Sequence, residues 1–287
     1  MPALKQKIFR GNMTLRIFLF LGGVFVFFLL FQRTAVCYEV VHEVYEVKVS
    51  ASKDRGNPEK KGDESLGSEI SESRAIRYSL LTYPEADHDH KVRLFVILHP
   101  AGETAEDYLE DWKDQAVKYQ TMLLAPQREM VYERKSPEVS AYLELVQEIC
   151  RSYAVDPEKI YIIGTSAGAL IGTWLVQEAP ALWSGAVFVA GFGFKDALVG
   201  IPLEQEQYEL YPPLLYVHGW KDTETLKGVL IGIEMLVDKG VSVELYDYED
   251  AGHEHRREWN PRIFDWIEKV EQRPGRIEAA APSTENT

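Results

Sequence analysis

Apolar positions along this chain alternate between two rhythms: short unbroken runs, and longer stretches in which they recur every three or four residues. The runs Val92–Leu98, Met122–Ala125, Ile160–Ile163, Gly185–Ala190 and Leu214–His218, and the more mixed Val241–Tyr248, predict strands. The stretches Ala105–Lys118, Pro137–Tyr153, Ala167–Glu178, Thr223–Lys239 and Arg262–Glu271 predict amphipathic helices. Strand and helix take turns, which is the pattern of a doubly wound, mainly parallel α/β sheet. Ahead of this core, Val40–Val49 alternates like a strand and Ala75–Tyr83 reads as a second one. The intervening Ser50–Arg74 is crowded with Ser, Lys, Glu, Asp and Gly, and predicts a solvated loop because it has too little apolar surface to offset ordering. Gly191–Pro213 reads as one irregular insertion, and no internal repeat is visible. The expected organisation is an N-terminal segment (1–37), a strand with a charged loop (38–74), the α/β domain (75–272) and a frayed tail (273–287).

Composition adds limits to this picture. The 287 residues are 46% hydrophobic, enough for an ordinary core. The formal charge is −14, although Lys5, Lys7, Arg10, Arg16 and Arg33 face no acidic residue in the first 37 positions, so the remainder is more acidic still. Such a surface disfavours nucleic acid and anionic membranes as partners of the globular part.

The four leading basic residues precede an uncharged run, Ile17–Phe31, which is the layout of an export signal. The expected location is outside the cytoplasm: secreted, periplasmic, or held at the membrane by this segment alone. As a helix the run spans about 22 Å against a hydrocarbon core of about 30 Å, which favours a cleaved signal. Its Phe and Leu content, the following Arg33 and the weak cleavage box Thr34-Ala35-Val36-Cys37 favour a retained anchor, and both readings stand. Cys37 and Cys150 make no disulfide framework, and no Cys/His spacing suits zinc. No cofactor or metal is expected, and Asp87-His88-Asp89-His90 reads as a solvated turn.

The strongest chemical signal is Gly164-Thr165-Ser166-Ala167-Gly168, entered by a β-rich run and left by a helical one. A serine on such a strained turn is held out as a nucleophile, with small residues where side chains would collide. A hydroxyl is a weak nucleophile near neutral pH, so it needs a base, and the base needs an acid to hold its tautomer. Catalytic groups of open α/β sheets gather at the carboxyl ends of strands. That rule selects Asp222, after Leu214–His218, and His253, after Val241–Tyr248. His255 is the competing base; Glu249 and Asp250 are competing acids that lie too near His253 to come from a separate strand. The oxyanion donors are expected at the N–H of Ala167 and of Ala101, with Gly102 second, since Pro100 has no N–H.

These residues resemble the α/β-hydrolase superfamily, in particular small serine esterases of the phospholipase/carboxylesterase, dienelactone-hydrolase and polyhydroxybutyrate-depolymerase-like groups. The matching stretches are Leu98–Asp107, Asp156–Tyr161 running into Gly164–Gly168, His218-Gly219-Trp220-Lys221-Asp222, and Gly252-His253. The resemblance implies an α/β-hydrolase fold with an antiparallel N-terminal part, a triad in the order Ser166, Asp222, His253, and ester hydrolysis through an acyl-enzyme. Two positions depart from the pattern: Pro100 where relatives carry glycine, and Ala169 in place of a second glycine.

The expected function is a serine hydrolase of small carboxylic esters. Acyl transfer or peptide cleavage by the same triad, and a binding protein without turnover, are the alternatives. Phe192, Phe194, Leu198, Ile201 and Leu203 in the insertion are read either as walls of an acyl pocket or as packing over the sheet.

Overall fold

The computed structural model describes residues 38–50, 71–83, 86–87, 89–127, 137–191 and 205–273. The N-terminal apolar segment, Phe192, Phe194, Leu198, Ile201 and Leu203 of the insertion, and all but the first residue of the tail lie outside these. Among the described residues no helix is long and apolar enough to cross a membrane.

Eight strands form one sheet: β1 (Glu39–Ser50), β2 (Ser71–Thr82), β3 (Val92–Leu98), β4 (Thr121–Pro126), β5 (Val155–Thr165), β6 (Gly185–Val189), β7 (Leu214–Gly219) and β8 (Val243–Tyr248). Their order is β1-β2-β4-β3-β5-β6-β7-β8. The β1–β2 and β2–β4 pairings are antiparallel and all the others parallel. The helices are α1 (Ala105–Lys118), α2 (Pro137–Ser152), α3 (Ala167–Glu178), α4 (Gln205–Glu209), α5 (Leu226–Asp238) and α6 (Asn260–Glu271).

Side chains of the parallel strands divide between two cores, as the two-residue repeat of a strand requires. Leu94, Val96 and Leu98 of β3 face one core with Tyr142 and Leu145 of α2, Ile171 and Leu175 of α3, and Val229 of α5. Phe95 and Ile97 face the other with Trp112 of α1 and Phe264 and Trp266 of α6. Covering on both faces explains why these strands read as continuous apolar runs. The parallel registers pair Leu98 with Gly164, Thr165 with Val189 and Gly219 with Tyr248, so the loops after β3, β5, β7 and β8 open at one edge.

Several elements differ from the sequence reading, four of them with a clear physical reason or consequence. β2 begins at Ser71 rather than Ala75, because its backbone pairs with β1 as far as Ser50 opposite Ser71 whatever the polarity of the side chains. β5 begins at Val155, ahead of the apolar run, where Val155 sits opposite Val92. α5 begins at Leu226 rather than Thr223, since Asp222 to Thr225 form a turn in which the Asp222 carbonyl accepts from Leu226 N at 3.1 Å. Within the stretch read as irregular, Gln205–Glu209 is a short helix.

The C-terminal helix is stapled to the sheet by a two-point ion pair. Arg93 Nε and Nη2 donate to the two carboxylate oxygens of Glu271 at 2.7 and 2.8 Å, and the Tyr161 hydroxyl donates to Glu271 Oε1 at 3.3 Å. A second tie involves His255, whose ring stacks on Trp112 at 5.2 Å and whose Nε2 meets Asn260 Oδ1 at 2.7 Å. Asn260 in turn donates to the Asp111 carbonyl at 2.9 Å. Burial holds the His255 imidazole below its ordinary pKa, outweighing the opposite pull of the Asn260 hydrogen bond.

Two outcomes are expected. Glu271→Gln leaves the half-buried guanidinium without its charge partner and lowers the unfolding free energy by about 3 kcal/mol in urea titrations. The His255 contribution to stability is complete above the ordinary value of 6.5 and is lost as pH falls toward the depressed native value, because the unfolded chain then binds a proton that the native state refuses. Unfolding measured at pH 7.5 and pH 5.5 therefore shows a smaller loss for His255→Gln than for the parent chain.

Candidate active site

Between β5 and α3 the chain reverses at Ser166, whose backbone sits at φ 52° and ψ −115°. A side-chain-bearing residue held at positive φ costs about 1–3 kcal/mol, and its surroundings must impose it. Ser166 N donates to Val189 O of β6 at 2.9 Å, and Thr165 just before it shares a 2.7 Å hydrogen bond with the buried Tyr108 hydroxyl of α1. A Cβ on Gly168 would lie 2.1 Å from the Leu98 carbonyl oxygen. The end of β3 thus passes directly against the first turn of α3, and only a residue without a side chain fits.

This passage brings the loop of Ala101 to the start of α3. Ala167 opens that helix, so its N–H has no acceptor within the helix. Neither it nor the Ala101 N–H is taken by another described residue. His99 is buried, and its Nδ1 lies 2.8 Å from the Pro100 carbonyl oxygen. A carbonyl only accepts, so Nδ1 carries the proton and donates. Because the peptide is trans, a carbonyl held toward His99 turns the Ala101 N–H to the opposite side. Proline at position 100 is thereby accommodated, since the N–H it lacks is not the one being aimed.

The loops after β7 and β8 are laced together by their backbones. Trp220 N donates to Tyr248 O and Lys221 N to Ala251 O, both at 2.9 Å. Gly219 lies so close to this second loop that a Cβ would be 2.2 Å from Ala251 O. The lacing places His253 Nδ1 2.7 Å from Asp222 Oδ2 and His253 Nε2 2.7 Å from Ser166 Oγ. An ionised carboxylate only accepts, so Nδ1 carries the proton and Nε2 is left to accept from the serine. The side chain of Asp222 is 3% exposed and that of His253 41%.

Burial raises the Asp222 carboxyl, but hydrogen bonds from Thr225 and His253 together with the nearby imidazoles outweigh it, and the group stays below its ordinary value. Thr225 Oγ1 is 2.5 Å and His218 Nε2 3.3 Å from Asp222 Oδ2. Sequence reasoning missed both of these residues. In the sequence His218 is simply the end of a strand, and Thr225 reads as part of a helix that in the structure starts one residue later.

The other sequence candidates are accounted for elsewhere. His255 is turned into the packing against Trp112, and Asp250 pairs with Arg256 at 2.8 Å. Asp87 accepts from the backbone N–H groups of Asp89 and His90 at 2.9 and 2.8 Å, so its carboxylate closes a turn. Cys150 is half-buried on α2, where burial pushes its thiol up to about 11. Among the described residues no group of acidic, histidine or cysteine side chains is arranged to hold a metal.

Comparison with known proteins agrees with this architecture. The model of the prolyl oligopeptidase family, peptidase S9, matches residues 127–198, a stretch that includes β5, Ser166 and α3. No curated protein sequence matches the chain. Among solved structures, a thermostable esterase superposes with a TM-score of 0.56 at 20% identity, covering 79% of this chain and 62% of that one. A ferulic acid esterase superposes with a TM-score of 0.58 at 15% identity, covering 82% and 98%. A putative dipeptidyl aminopeptidase IV from Bacteroides ovatus gives 0.59 at 14% identity, covering 79% of this chain and 35% of the other. The chain thus spans less than two thirds of the first and last of these proteins. With a mainly parallel eight-stranded sheet, a serine on the turn between β5 and α3, and these structural likenesses, the chain has the α/β-hydrolase fold.

Proposed function

We propose that this protein is a serine hydrolase that cleaves carboxylic esters through an acyl-enzyme on Ser166. The observation that carries the reading is the unbroken line of 2.7 Å contacts from Ser166 Oγ through the His253 imidazole to the Asp222 carboxylate. In this mechanism Ser166 Oγ attacks the ester carbonyl as His253 Nε2 takes its proton, and Asp222 stabilises the imidazolium. The N–H groups of Ala167 and Ala101 receive the oxyanion, each contributing on the order of 3 kcal/mol. Collapse of the tetrahedral adduct expels the alcohol, which leaves with the proton from His253. Water, deprotonated by the same nitrogen, then attacks the acyl-enzyme and releases the acid.

The match of residues 127–198 to a peptidase family supports a second reading, in which the same relay opens an amide. Amide cleavage makes a stricter demand on His253, which must protonate a poor leaving group as the bond breaks.

Full-length protein assayed with p-nitrophenyl esters of increasing acyl length and with peptidyl p-nitroanilides separates the two. Ester turnover without comparable anilide turnover is expected; equal kcat/KM on anilides makes the protein a peptidase. A fluorophosphonate probe should label the parent chain and leave Ser166→Ala unlabelled, while His253→Ala lowers kcat on the order of 10⁴-fold or more. Labelling that survives Ser166→Ala rejects the assignment of the nucleophile.

The oxyanion role of the β3 loop has its own measurement. Ala101→Pro removes one N–H and should reduce kcat about 10²–10³-fold with little change in KM, whereas Ala101→Gly stays close to the parent. If the proline variant keeps full activity, the second donor lies elsewhere in the loop, with Gly102 next in line.

A further inference from the structure

The environment of Asp222 contains one more imidazole than a proton relay needs. His218, next to last in β7, has its side chain 1% exposed, and its Nε2 lies 3.3 Å from Asp222 Oδ2 and 3.2 Å from Thr225 Oγ1. Thr225 Oγ1 is itself 2.5 Å from Asp222 Oδ2, and Thr225 N approaches Oδ1 at 3.4 Å. Three side chains from three parts of the fold therefore converge on one carboxylate oxygen: the end of β7, the turn before α5 and the loop after β8.

Counting protons assigns each role. Asp222 is ionised and only accepts. The single hydroxyl proton of Thr225 is directed at Asp222, which leaves the threonine oxygen as an acceptor toward His218. Both neighbours of His218 Nε2 are thus acceptors, and that nitrogen must carry the proton. Its other ring nitrogen, Nδ1, is buried without a hydrogen-bond partner among the described residues. A proton there would be an unsatisfied buried donor on a cation, which is costly.

We infer that His218 is a positioning residue that acts with Thr225 as a buried bracket, holding the Asp222 carboxylate on the rotamer that serves His253. The bracket works because an aspartate has two torsions and a short reach. With His253 as its only strong partner, the carboxylate would be free to turn toward the backbone N–H groups of its own turn. The titratable groups facing His218 are Asp222, from the turn after its own strand, and His253, from the loop after β8. Burial lowers the His218 pKa against the opposing charge of Asp222, so it remains a neutral donor rather than a second proton carrier.

The inference rests on the proposed hydrolase activity only for its kinetic readout. Its test uses full-length protein carrying His218→Gln, whose amide donor falls near the place of Nε2, His218→Asn, whose donor falls near Nδ1, and His218→Met, which has none. Thr225→Val and Thr225→Ser form a second set in case the histidine variants fold poorly. Donor loss in His218→Met, His218→Asn and Thr225→Val should lower kcat about 10–100-fold with KM within about twofold, while His218→Gln and Thr225→Ser stay within about threefold of the parent.

A readout independent of turnover is the low-field proton NMR signal of the His253 Nδ1–H held by Asp222. It should fade in His218→Met and Thr225→Val and return in the conservative partners. If the parent chain hydrolyses nothing yet this pattern holds, the bracket stands and the hydrolase reading falls. Should His218→Gln be as impaired as His218→Met, or should His218→Met keep both kcat and the low-field signal, the residue only fills space and the inference is overturned.

Discussion

The candidate active-site edge depends on one steric constraint, the passage of the Leu98–His99 backbone against the first turn of α3. With Leu98 O only 2.1 Å from where a Gly168 Cβ would sit, the approach leaves no freedom in the turn between β5 and α3. The turn is tightened until Ser166 adopts a positive φ, and the strain is held by its N–H to β6 and by the Tyr108 contact with Thr165. The same contact brings the N–H of Ala167 and the loop carrying Ala101 to one place. The proposed nucleophile and oxyanion donors are therefore fixed by a single piece of backbone packing, not by independent side-chain choices.

Electrostatics then decides what the edge can do. Although the chain is strongly acidic, Asp222 is the acidic residue found among the buried polar groups of the described residues. A buried carboxylate remains ionised only where donors replace the water it has lost. Here Thr225 and His253 supply those donors, with His218 Nε2 a further 3.3 Å contact, and both donors belong to loops laced together by Trp220 and Lys221. Backbone pairing between β7 and β8 thus has an electrostatic consequence, because it delivers an imidazole to a charge that would otherwise be unstable.

Much of this was legible in the sequence for physical reasons. Parallel strands covered on both faces must be apolar throughout, so the runs at Val92–Leu98 and Ile160–Ile163 announced themselves. The serine turn was legible because steric demand leaves glycines behind, and Asp222 and His253 because they follow strands directly. Boundaries set by backbone pairing were not legible. β2 extends to Ser71 through hydrogen bonds that any residue can make, and the turn from Asp222 to Thr225 looks like a helix start in a propensity reading. Thr225 and His218 escaped notice because their importance lies in where their protons point, which a one-dimensional pattern does not record.

His218 and His253 show how far environment separates two copies of the same side chain on one carboxylate. Both reach Asp222 Oδ2, at 3.3 and 2.7 Å, yet their side chains are 1% and 41% exposed. A base that cycles between neutral and charged forms must have its cation tolerated, by solvent or by a close counter-charge, and must present its second nitrogen to the reacting group. His253 meets both conditions, with Nε2 directed at Ser166 Oγ and one side open to water. His218 fails the second, since its other nitrogen, Nδ1, is buried without a hydrogen-bond partner among the described residues. In the proposed mechanism burial thus divides the labour: the exposed imidazole moves the proton, and the enclosed one keeps the carboxylate in place.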